Sequence, residues 1–240
     1  MRTGYRFRIL VVGCGGTGSH LVGLLSQLMM YQDSIKELIL IDGDVIEPKN
    51  LRQQRFNKSE IGINKAKALS DRFSKLDIPI SYVDKYITSK EDMSVLLAGG
   101  KYTDTIIISC VDNNKARKLL HEIFCDSYKF PGTYIYIDTG NGDGKVRRGQ
   151  TVVGARKDED LYFNPVAYYY PEILEDTNDE VDLTLNCDQI NESIPQHISA
   201  NVMSATTVFL IVNNIVSDEN LDKSVFNFNA DEISLIGVEV

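Results

Sequence analysis

Over its first two-thirds the chain alternates short, β-branched apolar runs with stretches whose apolar residues recur at helical spacing. Arg6 to Val12 predicts a strand, and Thr17 to Tyr31 a helix with Leu21, Leu24, Leu25, Leu28 and Met29 at helical spacing. Leu38 to Asp42 predicts a second apolar strand ending in acid, and Lys65 to Phe73 a helix introduced by Ile61-Gly62-Ile63-Asn64. Pro79 to Val83, Asp104 to Cys110 and Thr133 to Asp138 predict further strands, separated by helices at Glu91 to Leu97 and Asn114 to Phe124. Short apolar strands joined by helices imply an α/β fold: a Rossmann-like, doubly wound, mainly parallel sheet covered on both faces.

After Gly140 the pattern changes. Gly142, Gly144 and Gly149 surround a basic turn at Lys145, Arg147 and Arg148, and Gln150 to Val153 predicts a strand. A tyrosine-rich, acidic stretch with little periodicity follows, in which Tyr168-Tyr169-Tyr170 fits semi-buried packing or a grip on a peptide tail. Ile198 to Val216 predicts a long apolar helix rich in Ala, Ser and Thr. Val225 to Phe228 and Ile233 to Val240 predict an antiparallel hairpin turning at Asn229-Ala230-Asp231. No repeat or low-complexity linker divides the chain, so residues 1–240 are expected to form one domain, with a core near 6–155 and a C-terminal part near 156–240.

The charge alters this picture only locally. The net charge of −9 is concentrated in Asp158 to Asp182, which holds nine acidic residues and no Lys or Arg, leaving the rest of the chain neutral. No basic stripe for nucleic acid is present. None of the four cysteines forms a C-x-x-C pair, so no structural zinc is expected. With no signal peptide and no apolar run near the ~20 residues that span a bilayer, the expectation is a cytoplasmic protein with no membrane partner.

The candidate chemistry lies between Val12 and Asp112. Gly13-Cys14-Gly15-Gly16-Thr17-Gly18-Ser19 follows the first strand directly, as phosphate-holding loops do. Glycines let backbone amides approach an anion, and the following helix contributes roughly half a unit of positive charge at its start. Gly13, Gly15 and Gly18 alone satisfy only a loose dinucleotide fingerprint. Asp42 and Asp44 close the second strand, Asp112, Asn113 and Asn114 follow the Ile106-Ile107-Ile108 strand, and Asp138 ends the next strand, followed by Thr139, Gly140 and Asn141. Strand ends at the point where sheet order reverses are where such folds bind ligands. Asp112 fits two roles, a cap for the helix opening at Asn114 and a metal ligand.

These motifs resemble the ThiF/MoeB/HesA superfamily of ubiquitin-activating-enzyme-like proteins, and within it the smaller ThiF-type proteins of the PRTRC system. The family loop G-x-G-G-x-G-S matches Gly13 to Ser19. Its D-x-D-x-V and N-L-x-R-Q-x-F motifs match Asp42, Asp44, Val45, Asn50, Leu51, Gln54 and Phe56. G-x-x-K-A matches Gly62, Lys65 and Ala66, D-N matches Asp112 and Asn113 with Arg117 downstream, and Gly149-Gln150 matches a late strand start. The resemblance is good over residues 6 to 155 and looser beyond.

It implies ATP-dependent adenylylation of the C-terminal glycine of a small ubiquitin-like, β-grasp protein of the ThiS/MoaD kind. Lys65 would neutralise phosphate charge, Asp112 would hold Mg²⁺, and Asp42 would bind the ribose. Gly13, Gly15, Gly16, Gly18, Asp44, Asn50, Gln54 and Asn113 would complete the nucleotide site. Cys187, the lone cysteine in a predicted loop, would be either inert or a thioester-forming nucleophile. Relatives dimerise, so a homodimer is expected.

Three departures stand out. The family arginine between Leu51 and Gln54 is Gln53 here, leaving Arg52 and Arg55 as flanking substitutes. No N-terminal helix with an arginine for a partner's site precedes the first strand, and the C-x-x-C motif is missing. The alternatives are a catalytically impaired nucleotide-binding module of the same fold, a relative of the tRNA threonylcarbamoyladenosine dehydratases, and an NAD-dependent oxidoreductase. The last leaves Lys65 and the Asn50–Gln54 segment without a purpose.

Overall fold

The apolar runs pair with one another as a sheet in the computed structural model, which describes residues 6–98, 104–142, 146–175, 196–217 and 221–239. Strands β1 (Phe7–Val12), β2 (Ile35–Ile41), β3 (Ile80–Val83), β4 (Asp104–Ser109) and β5 (Thr133–Asn141) are parallel, in the order β3-β2-β1-β4-β5. Beyond β5 the direction alternates. β6 (Arg148–Lys157) runs antiparallel to β5, followed by β8 (Val225–Asn229) and β9 (Ser234–Val238), while β7 (Asp160–Phe163) also pairs with β6. The result is one nine-stranded, mixed sheet.

Alternate residues of the central strands feed two separate cores, as the two-residue period of a strand requires. Ile9, Val11, Leu38, Leu40, Ile106 and Ile108 face α1 (Gly16–Tyr31), α2 (Lys65–Phe73) and α7 (Ile198–Val216). Leu10, Val12, Ile39, Ile41, Ile107 and Tyr136 face α3 (Lys90–Ala98), α4 (Asn114–Asp126) and the short α5 (Val166–Tyr169) and α6 (Glu172–Glu175). Both faces are covered, which is why these strands read as continuous apolar runs.

Three expectations need correction. Ile198–Val216 does have the length and apolarity to cross a membrane, contrary to the sequence reading, but Ala200, Ala205, Val208, Ile211 and Val212 are buried inside the fold. Here it packs as a core helix on α1, β5 and β6. β6 is far longer than Gln150 to Val153, because nine consecutive residues of β5 pair with it and carry the strand through Gly149, Gly154 and Arg156. The hairpin turn extends to Ile233, whose φ of 51° lies in the left-handed region, so β9 starts at Ser234.

Candidate active site

Sheet order reverses between β1 and β4, and the loops leaving their C-terminal ends part to enclose a cavity of ≈ 660 Å³. The glycine loop forms its floor. Gly13 has a φ of +93°, and a Cβ there would meet the Cys110 carbonyl oxygen at 2.6 Å. A Cβ on Gly18 would lie 1.9 Å from the Gly13 carbonyl oxygen, so this glycine closes the turn and does not itself line the cavity. Gly15 caps α1 without a side-chain hydrogen bond, and no acid occupies the first turn. Gly16 and Thr17 open the helix at the cavity, and their amides have no partner inside the helix, as an anion site requires.

Asp42 is 8% exposed and ties the floor to the second strand. Its Oδ2 accepts from the Cys14 amide at 2.6 Å and its Oδ1 from the Asp44 amide at 2.8 Å. Burial raises its pKa, opposed by those two hydrogen bonds. Asn64 organises the neighbouring helix start: its Nδ2 donates to the carbonyls of Asp42 and Asp44, and its Oδ1 caps α2 at Lys67. That cap turns Lys65 inward and Lys67 outward. Lys65 is 7% exposed and its Nζ pairs with Asp44 Oδ2 at 2.7 Å, whereas Lys67 pairs with Asp71 on the surface.

Tyr86 completes this group, and the sequence reading missed it. Its hydroxyl donates to Asp44 Oδ1, and its ring lies so close over Gly43 that a Cβ there would sit 2.5 Å from it. Burial pushes the Asp44 pKa up, but hydrogen bonds from Lys65 and Tyr86 outweigh it and hold the carboxyl below the usual range. The shared bond with Asp44, with burial added, pushes the Tyr86 phenol up to about 12.

The remaining expected residues divide. Asn50, Arg52, Gln53 and Gln54 line the cavity. The Asn50 Oδ1 accepts from the Glu47 amide at 2.8 Å, which fixes the turn Pro48–Arg52. Asp112 and Asn113 line the opposite wall. Asn113, not Asp112, caps α4, its Oδ1 accepting from the Ala116 amide at 2.8 Å. The Asp112 carboxylate is left exposed beside the cavity. Arg55 is separated from the group, because its guanidinium lies against Gly23 of α1 and it lines no part of the cavity. Cys187 lies outside the described residues.

On the far wall stands a polar set that joins Asp138, Asn141 and Arg117, which the sequence reading named, to Asn201, which it did not. Asn201 of α7 is 1% exposed and packs on Gly16, where a Cβ would lie 2.5 Å from its Nδ2. Asn141, at the end of β5, donates from Nδ2 to Thr17 Oγ1 at 3.0 Å and to Asn201 Oδ1 at 2.8 Å. Arg117 donates to the carbonyls of Val111 and Thr139, and its Nε lies 3.9 Å from Asp138 Oδ2. Asn141 Oδ1, Asn201 Nδ2 and, across the cavity, Gln54 Oε1 are buried with no hydrogen-bond partner among the described residues. Each such group costs about 1–3 kcal/mol until a ligand satisfies it.

A doubly wound α/β fold with an anion-binding glycine loop and a carboxylate-anchored lysine defines a nucleotide-binding class. The chain belongs to the ThiF family, whose model matches residues 5–230. It is similar to the crystal structure of E. coli MccB with ATP, with a TM-score of 0.61 and 19% identity over 96% of this chain and 63% of that one. PaaA is similar at a TM-score of 0.63 and 17% identity, over 97% of this chain and 63% of PaaA. The chain thus spans 63% of the length of these structures. No curated protein matches it significantly.

Proposed function

We propose that this chain is an ATP-dependent adenylyltransferase activating the C-terminal glycine carboxylate of a small ubiquitin-like, β-grasp protein. The observation that carries the reading is one cavity lined by the start of α1, the Asp44–Lys65 pair and the exposed Asp112 carboxylate within a ThiF-family chain. Structures of E. coli MccB with ATP, and with AMPCPP and MccA together, support it by similarity of fold.

In this reading the carboxylate oxygen attacks the α-phosphorus, a P–O bond forms, and pyrophosphate leaves with the electrons of the broken P–O bond. Lys65 exchanges Asp44 for a phosphate oxygen as negative charge accumulates, while the first turn of α1 holds the phosphates in place. Asp42, with both oxygens already oriented by backbone amides, accepts from the ribose hydroxyls. Asp112 fits Mg²⁺: it has no ion-pair partner among the described residues. No cluster of three or more metal-binding side chains occurs among those residues, so phosphate oxygens would complete the shell. Bound there, the ion would offset triphosphate charge.

Gln53, where the family places arginine, favours a second reading, a nucleotide-binding module without turnover. Arg52 is the arginine of that segment that lines the cavity. ATP–pyrophosphate exchange with Mg²⁺ and the acceptor protein separates the two, and exchange that persists undiminished in Lys65→Ala and Asp112→Ala would refute the residue roles. Titrating ATP against NADH by thermal stabilisation tests the oxidoreductase alternative. The homodimer belongs to the same proposal and is checked by light scattering.

A further inference from the structure

The nucleotide cavity is bounded differently at its two ends. At one end Arg117 and Asn141 separate it from a second cavity, ≈ 530 Å³, between the end of β5, the start of β6 and the β8–β9 hairpin. Sheet order puts the end of β2 and the loop after β3 at the other end. There the cavity is lined by Asp44, Lys65 and Tyr86, which come from three different elements.

Asp44 divides its carboxylate between two donors. Oδ2 faces Lys65 Nζ at 2.7 Å, and Oδ1 accepts from the Tyr86 hydroxyl. The Lys65 side chain is almost wholly buried, and Asp44 is its one ion-pair partner among the described residues. Tyr86 is exposed, and its ring rests on Gly43, the residue between the two carboxylates. A Cβ at Gly43 would displace the ring, so the absence of a side chain there is what lets the phenol reach Asp44.

The two bonds to Asp44 are not independent. A hydrogen bond from a neutral hydroxyl stabilises the ionised carboxylate whether or not the lysine is present. It leaves less charge on Asp44 to hold the ammonium. Once Lys65 has turned to a phosphate oxygen, the same bond keeps the carboxylate partnered. Both effects lower the cost of the exchange.

Resting on the adenylyltransferase reading, we propose that Tyr86 is a positioning residue for Lys65, acting through Asp44. It loosens the resting Asp44–Lys65 pair and holds the vacated carboxylate while the ammonium is on the triphosphate. Its hydroxyl contacts the carboxylate and not the nucleotide.

The test measures AMPCPP affinity by calorimetry for wild type, Tyr86→Phe, Asp44→Asn and the double variant. Tyr86→Phe keeps the ring and removes only the hydroxyl. It should weaken AMPCPP about three- to tenfold, a modest loss because Asp44 is half-exposed. With Asp44→Asn already in place, the same change should alter the Kd less than about twofold. A second readout needs no nucleotide. In protein labelled with 3-fluorotyrosine, the ¹⁹F signal of Tyr86 is the one of 12 that Tyr86→Phe lacks. It should move in unliganded Lys65→Met, because the carboxylate then leans on the phenol alone. A tyrosine that merely packs on Gly43 would keep its signal in place.

An unmoved ¹⁹F signal in Lys65→Met overturns the proposal, as does unchanged AMPCPP affinity in Tyr86→Phe. A loss that persists undiminished with Asp44→Asn overturns it too, since the hydroxyl would then touch the nucleotide directly. In all three cases wild type still binds AMPCPP and the nucleotide reading stands. Wild type without affinity for AMPCPP overturns that reading itself, and this role with it.

Discussion

The parallel and antiparallel halves of the sheet bring different kinds of polar group to the cavity. On the parallel side the buried charges are paired in advance: Asp42 with two amides, and Lys65 with Asp44, which Tyr86 also meets. At the seam where β5 meets β6, the amides of Asn141 and Asn201 each keep one buried group with no hydrogen-bond partner among the described residues, as does Gln54 across the cavity. Charges left unpaired in the interior would cost far more than amides, which is why Asp42 and Lys65 are partnered in advance. The nucleotide side must exchange ionic partners when ligand arrives, whereas the amides of the seam carry no charge to exchange.

The strongest way to break the contrast is to remove the exchanging cation. Lys65→Ala should lower ATP–pyrophosphate exchange by about 100-fold or more, the scale of losing one preorganised transition-state contact, measured with radiolabelled pyrophosphate. Next comes the loop that anchors the parallel half. Gly18→Ala drives a Cβ into the Gly13 carbonyl and should cost about 3 kcal/mol in a urea melt. By contrast, Gly62→Ala, with φ +87° but open space around it, should cost only about 1 kcal/mol.

On the antiparallel side, Thr139→Val removes the hydroxyl that joins Thr151 to Ser204 and should cost about 1–2 kcal/mol in the same melt. The smallest effect concerns acid. The Asp44 pKa is depressed in the folded state, so its contribution is full above the unfolded value of about 3.9 and is lost as pH falls through the folded value. Asp42, raised by burial, runs oppositely: its contribution is present below the unfolded value and lost as pH rises through the folded one. Melting temperatures followed from about pH 7 to about pH 3 should therefore fall less on the acid limb in Asp44→Asn than in wild type.

The parallel half was largely legible because its elements are local and its strands fully buried. Lys65–Phe73 emerges with the helix ends that periodicity predicts, as does Ile198–Val216 in the C-terminal part. The antiparallel half was less so. β6 takes its length from pairing with β5, and β7 sits inside an acidic stretch whose local composition favours a loop. The site divides along the same line. Asp42, Asp44, Lys65 and Asp112 follow one another at motif spacing and meet at one cavity. Asn201 is one polar residue in an apolar helix, 60 positions from Asn141, and nothing in the order of residues says that the two touch. Arg52 and Arg55 were indistinguishable in sequence, and only the packing of Arg55 on Gly23 parts them.

The wall that Arg117 and Asn141 share between the two cavities has a consequence for inhibitor chemistry. Fragments that occupy each side separately would both surrender translational and rotational freedom, but a single molecule bridging the wall surrenders it once. A short linker of matching reach would raise the combined affinity above either fragment's by about 10²–10⁴ without any new contact. Selectivity over other nucleotide-binding proteins would then come from the half that occupies the second cavity.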